Sequence, residues 1–464
     1  MISFSPLDVG IVISFFVVIL ITGFIAGRKS NQTTETYLLS GRKVGLFLFI
    51  LTNVATWYGG ILGVGEFTYR YGLVSWVTQG LPYYIFAILF AIFFSKKIRK
   101  ASLFTIPEKL TEIYGRKVGL FAAILIFILV SPAPYLLMIG YLLSVIFNFK
   151  IVWALIIGII VSTAYLFKGG YRSNIYTDAV QFFVMFIGFA VILFTAATNL
   201  GGIEYLKINL PQNHLSFTGG NSPAFIAVWF LIALWTFADP GFHQRSYSAR
   251  TGKVAEYGIL ISVVLWMLFD FLTTSVGLYS RAAIPNMNNP VLSFPLLAEH
   301  ILSSGWKGIF YAALFATILS TLNSFMFLSA TTIGRDFLIK LKKSKIKDNS
   351  IKYTRLGIFV TAVLSLLLSL YFDSVIDMWY TIGSICIPGI ILLVVSAYYT
   401  KFRIGGSLAF IESIAAVGSS IMWWFIRSNL PKSSSLTVVE PMIVGLIIAV
   451  IIHIFGMRKW EKLS

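Results

Sequence analysis

Four hydroxyl side chains, Thr317, Ser320, Thr321 and Ser324, recur at spacings of three and four inside AALFATILSTLNSFMFLSATT, an apolar stretch of membrane length between Ala312 and Thr332. At about 100° per residue they fall within an arc of roughly 100° on one helix face. Oxygens gathered on one face inside a bilayer can replace the hydration shell of a small hard cation such as sodium. Ser and Thr are equally at home at transmembrane helix contacts, where they bond back to the helix or let neighbours approach. Three acids add to the inventory: Asp178, Asp239 and Asp270 lie within apolar spans that carry no lysine or arginine well away from an end. Buried acids without buried bases make an interior that attracts cations, and an ionisable group at membrane depth is a functional hypothesis by default. Asp178 opens an apolar span behind KGGYRSNIYT, where capping a helix end competes with binding an ion. Asp239 is placed to cap a helix restarted at Pro240, and Asp270 either to bond to a neighbouring helix or to take part in transport.

The elements that must position these groups are membrane helices. With 58% hydrophobic and 12% charged residues over 464 positions and a mean hydropathy of +0.86, the composition excludes a soluble globular protein. Thirteen apolar runs are long enough to cross about 30 Å of hydrocarbon. The net charge of +18 is distributed by loop, not as a nucleic-acid surface. With the N-terminus outside, the inward segments hold about 29 of the 36 basic residues, a strong positive-inside bias that puts the C-terminus in the cytoplasm. Those segments include KGGYR, HQRSYSARTGK and the KLKKSKIK run, which can also face anionic lipid. The first span follows MISFSPLD, which lacks a basic leader, and reads as a retained helix. Short loops and abundant Ile, Phe and Lys fit a bacterial inner membrane.

Backbone breakers interrupt two spans. WYGGILGVGEF carries Gly59, Gly60, Gly63 and Gly65, and LWTFADPGF carries Asp239, Pro240 and Gly241. Paired interrupted helices point to a transporter built from inverted repeats with its site at the bilayer midplane. Gly and Pro are also simply frequent in membrane helices. Five spans separate the breaks, and an odd number of crossings per repeat inverts the second copy. We expect one transmembrane unit, with repeats at 43–198 and 223–400 and peripheral helices at 1–42 and 401–464. Aromatic residues flank the breaks: Trp57 and Tyr58 at the first, Trp235 and Phe237 at the second, with Tyr83 and Tyr84 beside Gln79. They can stack on a small solute or pack the core.

Enzyme signatures are weak. His214, His243, His300 and His453 stand apart, none at metal-ligand spacing from another, and His243 fits a capping role at a cytoplasmic helix end. The single cysteine, Cys386, lies in an apolar span and offers no disulfide framework. Without an attached nucleotide-binding domain, energy must come from a gradient.

Four ordered blocks resemble the sodium:solute symporter family: YLLSGRK, GGYRSNIYTDAVQ, FHQRSYSARTGK and FPLLAEHILSSGWKGIFYAALFATILSTLNSFMF. The resemblance implies an all-α polytopic fold of the leucine-transporter-like inverted-repeat type with extra outer helices. It implies a co-transported sodium ion held by the carbonyls of Leu51, Val54 and Thr317 and the side chains of Ser320 and Thr321. A second sodium, found in some members, would fall on Asp178, Ser320, Asn323 and Ser324, with Asn323 standing where those members have serine. The inner aromatic gate would be Trp235, and solute contacts would lie around Asn53, Trp57, Tyr58, Gln79 and Thr236.

The expected activity is sodium-coupled import of a small organic solute by alternating access, not enzymatic turnover. The absence of a buried base favours a neutral or zwitterionic solute such as a sugar, polyol or amino acid. Proton coupling through Asp178 is the alternative; it predicts uptake that survives sodium replacement and fails on Asp178→Asn. A membrane sensor that binds solute without moving it is a further one.

Overall fold

The computed structural model describes residues 2–28, 33–339, 349–371, 375–431, 434, 436 and 439–461, the side chains of 375–380 and 458–461 apart; the KLKKSKIK run lies outside them. Among the described residues the chain is helical, with one isolated bridge between Val44 and Ala249. Among the described residues nine helices are long and apolar enough to cross a membrane, and the bent pair Leu46–Tyr58 and Ile61–Tyr71 makes ten. The other three expected spans are present as shorter or broken elements. Ile151–Thr163 and Pro441–Met457 are short, and Val375–Cys386 is separated from Ile391–Ala397 by a turn at Pro388 and Gly389. Proline lacks the N–H and clashes with the preceding turn, so the helix stops there.

Trp306–Thr331 is the centre of the molecule. In the apolar part of Trp306–Ile339, which it opens, 89% of residues are buried, against 22% for the first helix, Pro6–Gly27. A helix apolar on all sides gains by burial on all sides. Its starting end is pinned to the first helix. Asp8 accepts hydrogen bonds from the amides of Gly305 and Gly308, both 2.8 Å, and Lys307 donates to Ser3 O and to Glu299, each at 2.7 Å.

The break between Leu46–Tyr58 and Ile61–Tyr71 bends the chain by 56°. Gly59 makes it possible to press that break onto the central helix, because a Cβ there would stand 2.3 Å from Cβ of Thr321. The second interrupted span runs as Pro223–Ile232, a 3-10 stretch Ala233–Ala238, an extended Asp239, and Pro240–Ser248. Asp239 caps the restarted helix as expected, its Oδ1 accepting from the Phe242 amide at 2.8 Å.

Two expectations about loops are overturned. KGGYRSNIYT is not an irregular connecting loop: within Leu166–Asn199 it is helical on both sides of Gly170, a non-helical break where φ is +54° and a Cβ would meet the Tyr37 carbonyl at 2.5 Å. Asp178 therefore lies eight residues beyond the kink, wholly buried in mid-helix, and caps nothing. HQRSYS is not an inward loop either. Every residue of Pro240–Ser248 is buried, and the chain reaches the surface only at Arg250. His243, Arg245, Tyr247 and Ser248 each bond to groups inside the protein, which hydropathy does not register.

Candidate functional site

The hydroxyl face predicted on the central helix meets the first broken helix at Thr56. Thr321 Oγ1 donates to the Thr56 carbonyl at 2.6 Å, and Ser320 Oγ lies 3.2 Å from Thr56 Oγ1. Leu51 and Val54, whose carbonyls were expected to complete the first ion site, are buried in the last turns before the break. Thr317 is fully buried on the same helix face, one turn before Thr321, its hydroxyl bonded back to Leu314 O at 2.7 Å. Ser320 and Thr321 thus meet the first broken helix at Thr56, just before its break, and Leu51, Val54 and Thr317 are buried on the two helices that meet there.

Asp178 adjoins this junction. Ser320 Oγ donates to its Oδ1 at 2.6 Å, and the Thr52 hydroxyl donates to Oδ2. Of the other residues expected to serve a second ion, Ser324 accepts from Asn174 Nδ2 at 2.7 Å. Asn323 donates its amide to the Tyr165 hydroxyl and keeps a buried, unpartnered Oδ1.

Arg245 corrects the reading that the interior holds no base. It is 3% exposed and turns inward from the restarted helix, donating from Nη2 to Thr56 Oγ1 at 2.6 Å and to Thr52 O at 3.3 Å, and from Nη1 to Gly241 O at 3.2 Å. The signal that could have found it is the cap. Asp239-Pro240 starts a helix, and a helix of any length carries Arg245 away from the surface where a loop would leave it. His243 is corrected likewise: it is buried, with Nε2 3.0 Å from Phe237 O, and caps no exposed end.

Beside the break lies a cavity of about 330 Å³. Five of the six expected solute or gate residues line it: Asn53, Trp57, Tyr58, Gln79 and Trp235. Thr236 does not; it is buried, and its hydroxyl bonds back to Ala233 O at 2.9 Å. Trp57 is held edge-on to Tyr83 at 5.1 Å and against Trp266 at 4.9 Å between centroids. Asp239, Arg245 and Asp270 also reach the cavity. Asp270 accepts from the Tyr84 hydroxyl, so it both ties two helices and faces the cavity. Asn53 Nδ2 and Gln79 Nε2 are buried there without a hydrogen-bond partner, donors that a bound oxygen would satisfy.

Comparison with known proteins agrees with this architecture. The high-affinity choline transporter 1 of Drosophila melanogaster is 25% identical over 394 residues, covering 79% of this chain; the chain spans 63% of that relative's length. The sodium/pantothenate symporter of Escherichia coli (strain K12) is 26% identical over 384 residues, covering 77% of each. A structure described as the substrate-bound outward-open state of a Na+-coupled sialic acid symporter superposes with a TM-score of 0.82, at 16% identity and 98% coverage of both chains, and shows the same fold. Residues 37–415 match the model of one family, through the first broken helix and beyond the central helix, and the chain belongs to it: the sodium:solute symporter family.

Proposed function

We propose that this multi-pass membrane protein imports a small organic ammonium solute with sodium. The cavity carries the reading. Its aromatic walls, Trp57, Tyr83 and Trp235, stand with the carboxylates of Asp239 and Asp270, which outnumber the single guanidinium of Arg245. Aromatic faces attract quaternary ammonium groups by about 0.5–2 kcal/mol each, and the excess of acid completes the attraction. The unpartnered amides of Asn53 and Gln79 would hold an oxygen at the solute's other end. Choline has this form, and choline transporters are among the relatives. The expectation of a sugar or polyol rested on an interior without bases and loses its ground with Arg245.

Sodium is co-transported, and its site in this reading is Leu51, Val54, Thr317, Ser320 and Thr321. Ion binding would hold the broken helix against the central helix and keep the solute cavity complete; separation of the two would release both. The two broken spans would open corresponding inverted repeats, 43–198 and 223–400. The N-terminus would lie outside and the C-terminus in the cytoplasm of a bacterial inner membrane, following the basic loops. One charge crossing about 100 mV supplies roughly 2.3 kcal/mol and a tenfold sodium gradient about 1.4. Together these support accumulation of several hundredfold.

The test is uptake of labelled choline into liposomes holding only this protein, with an inward gradient of sodium or of potassium. Sodium-dependent uptake blocked by other quaternary ammonium compounds is expected. Uptake of mannitol or glucose, with none of choline, would sink the ammonium reading. Arg245 on the cavity wall favours one second reading, a zwitterion with both ammonium and carboxylate. Betaine, which differs from choline by that carboxylate, separates the two.

A further inference from the structure

Two buried ionisable groups stand apart from the ion and solute sites. Glu412 lies on Gly406–Ser428 and His453 on Pro441–Glu461, the peripheral helices that pack along each other. Glu412 is 1% exposed and His453 7%. Nδ1 of the imidazole is 2.8 Å from Glu412 Oε2, and Nε2 is 2.9 Å from the Phe402 carbonyl oxygen. Both ring nitrogens therefore face oxygens. A neutral imidazole has one N–H and one lone pair, so it satisfies one of these contacts and turns its lone pair on the other. A further proton removes the conflict, carried either by the ring opposite an ionised Glu412 or by the carboxyl group opposite a neutral ring. Other titratable groups of the surrounding elements are engaged elsewhere or exposed. Tyr114 Oη lies 2.7 Å from Ser396 Oγ, Arg403 donates to Ala397 O at 2.9 Å, Arg427 pairs with Glu440 at 2.7 Å, and Arg116, Lys117 and Lys401 are at the surface.

The same helices brace the wall of the solute cavity. Ser413, the residue after Glu412, donates to Gly389 O at 2.5 Å, in the turn that separates Val375–Cys386 from Ile391–Ala397. Gly445 lets the second helix close on that turn, since a Cβ there would stand 2.1 Å from Ser420 Oγ and 2.8 Å from Cβ of Pro388. Ile387 of the turn and Met442 of the second helix both line the cavity. We propose that Glu412 and His453 form a proton-held clasp that fixes this helix pair and, through it, the cavity wall at Pro388 and Gly389. With the proton bound, both contacts of the ring are attractive and the pair is closed. Loss of the proton at alkaline pH sets a lone pair against an oxygen, loosens the helices and frees the turn. The closed clasp holds a proton that the opened one releases, so its stability falls as pH rises.

The test needs neither the solute nor the ion, because Cys386, the only cysteine, is buried beside the turn and reports its opening. A maleimide labels the full chain in detergent from about pH 6 to about pH 9, across the ordinary histidine range. A free thiol measured alongside removes the reagent's own pH dependence. At the acid end His453→Gln and Glu412→Gln are expected to label at least about tenfold faster than the unaltered chain, the effect of one bond to a charged group on a local opening. At the alkaline end the three rates should converge. The corrected rate of the unaltered chain should climb with pH, a reading that stands even where a variant fails to fold. A ratio of variant to unaltered rate that stays constant over the range would make the pair a plain tie between helices and overturn the proposal. So would an unaltered chain whose corrected rate does not change with pH.

Discussion

Arg245 and Asp178 meet at the hydroxyl of Thr56, which receives the guanidinium at 2.6 Å and stands 3.4 Å from the carboxylate. The relationship joins three elements, because Thr56 belongs to the first broken helix, Arg245 to the helix restarted after the second break, and Asp178 to the long kinked helix. Ser320 and Ser324 bring the central helix to the same place. A displacement of any one element disturbs the charge balance felt by the others, which is a physical route for coupling ion binding to rearrangement.

Removing one charge of this set leaves the other buried and uncompensated, at a cost of about 3–5 kcal/mol. We expect Asp178→Asn and Arg245→Gln each to lower unfolding stability by that order in potassium buffer. The double variant should be more stable than the sum of the singles predicts. Unfolding of the four proteins in detergent yields the coupling energy. Additive losses would mean that the hydroxyl layer already insulates the two charges.

Sodium bound only by the folded chain stabilises it by about 2.7 kcal/mol at a hundred times Kd. Thermal unfolding in sodium should therefore exceed that in potassium at equal ionic strength. Choline is unsuitable as the replacement salt, being a candidate solute. Ser320→Ala and Thr321→Ala should each abolish the difference while leaving the potassium value within about 1–2 kcal/mol, the usual cost of a lost hydrogen bond. A sodium shift that persists in both variants would place the ion elsewhere.

The ammonium reading makes a graded prediction for the cavity wall. Loss of one cation–π contact of about 1–2 kcal/mol gives a five- to thirtyfold rise in KM for choline in Trp57→Ala. Trp57→Phe should show a smaller rise. Asp270→Asn should raise KM for choline at least as much and weaken an uncharged competitor little. Equal effects on charged and uncharged ligands would show that Asp270 serves only to hold Tyr84.

Much of this site was readable from residue order because its parts are local. The hydroxyl stripe follows from helical periodicity, the breaks from clustered glycine and Asp-Pro-Gly, and the capping role of Asp239 from its place before Pro240. What failed was depth. HQRSYS and KGGYRSNIYT are polar enough to look like loops, yet the first is helical and buried and the second, with Lys168 and Tyr176 at the surface, is mostly buried and helical on both sides of Gly170; both are held by contacts to segments more than a hundred residues away. Hydropathy scores transfer from water to lipid, and these helices transfer from water to protein. Thr236 illustrates the finer limit. Its neighbour Trp235 reaches the cavity, while the 3-10 turn directs the threonine hydroxyl into its own backbone.

Gly59 offers the most economical test of whether the broken helix must touch the central one. A methyl group there would lie 2.3 Å from both Cβ and Oγ1 of Thr321, so one of the two segments has to move. The site is at a break, where φ is −54°, so alanine suffers no backbone strain and the change acts through contact alone. Overpacking of this kind costs about 1–3 kcal/mol. It should separate the Thr321 hydroxyl from the Thr56 carbonyl, which are bonded at 2.6 Å. We expect Gly59→Ala to fold, to lose the sodium-dependent rise in unfolding temperature and to take up choline without regard to sodium or not at all. Thr321→Ser, which removes one of the crowded atoms and keeps the hydroxyl, should restore part of the sodium response in the Gly59→Ala background. A Gly59→Ala protein with the full sodium response would show that the ion does not depend on this contact.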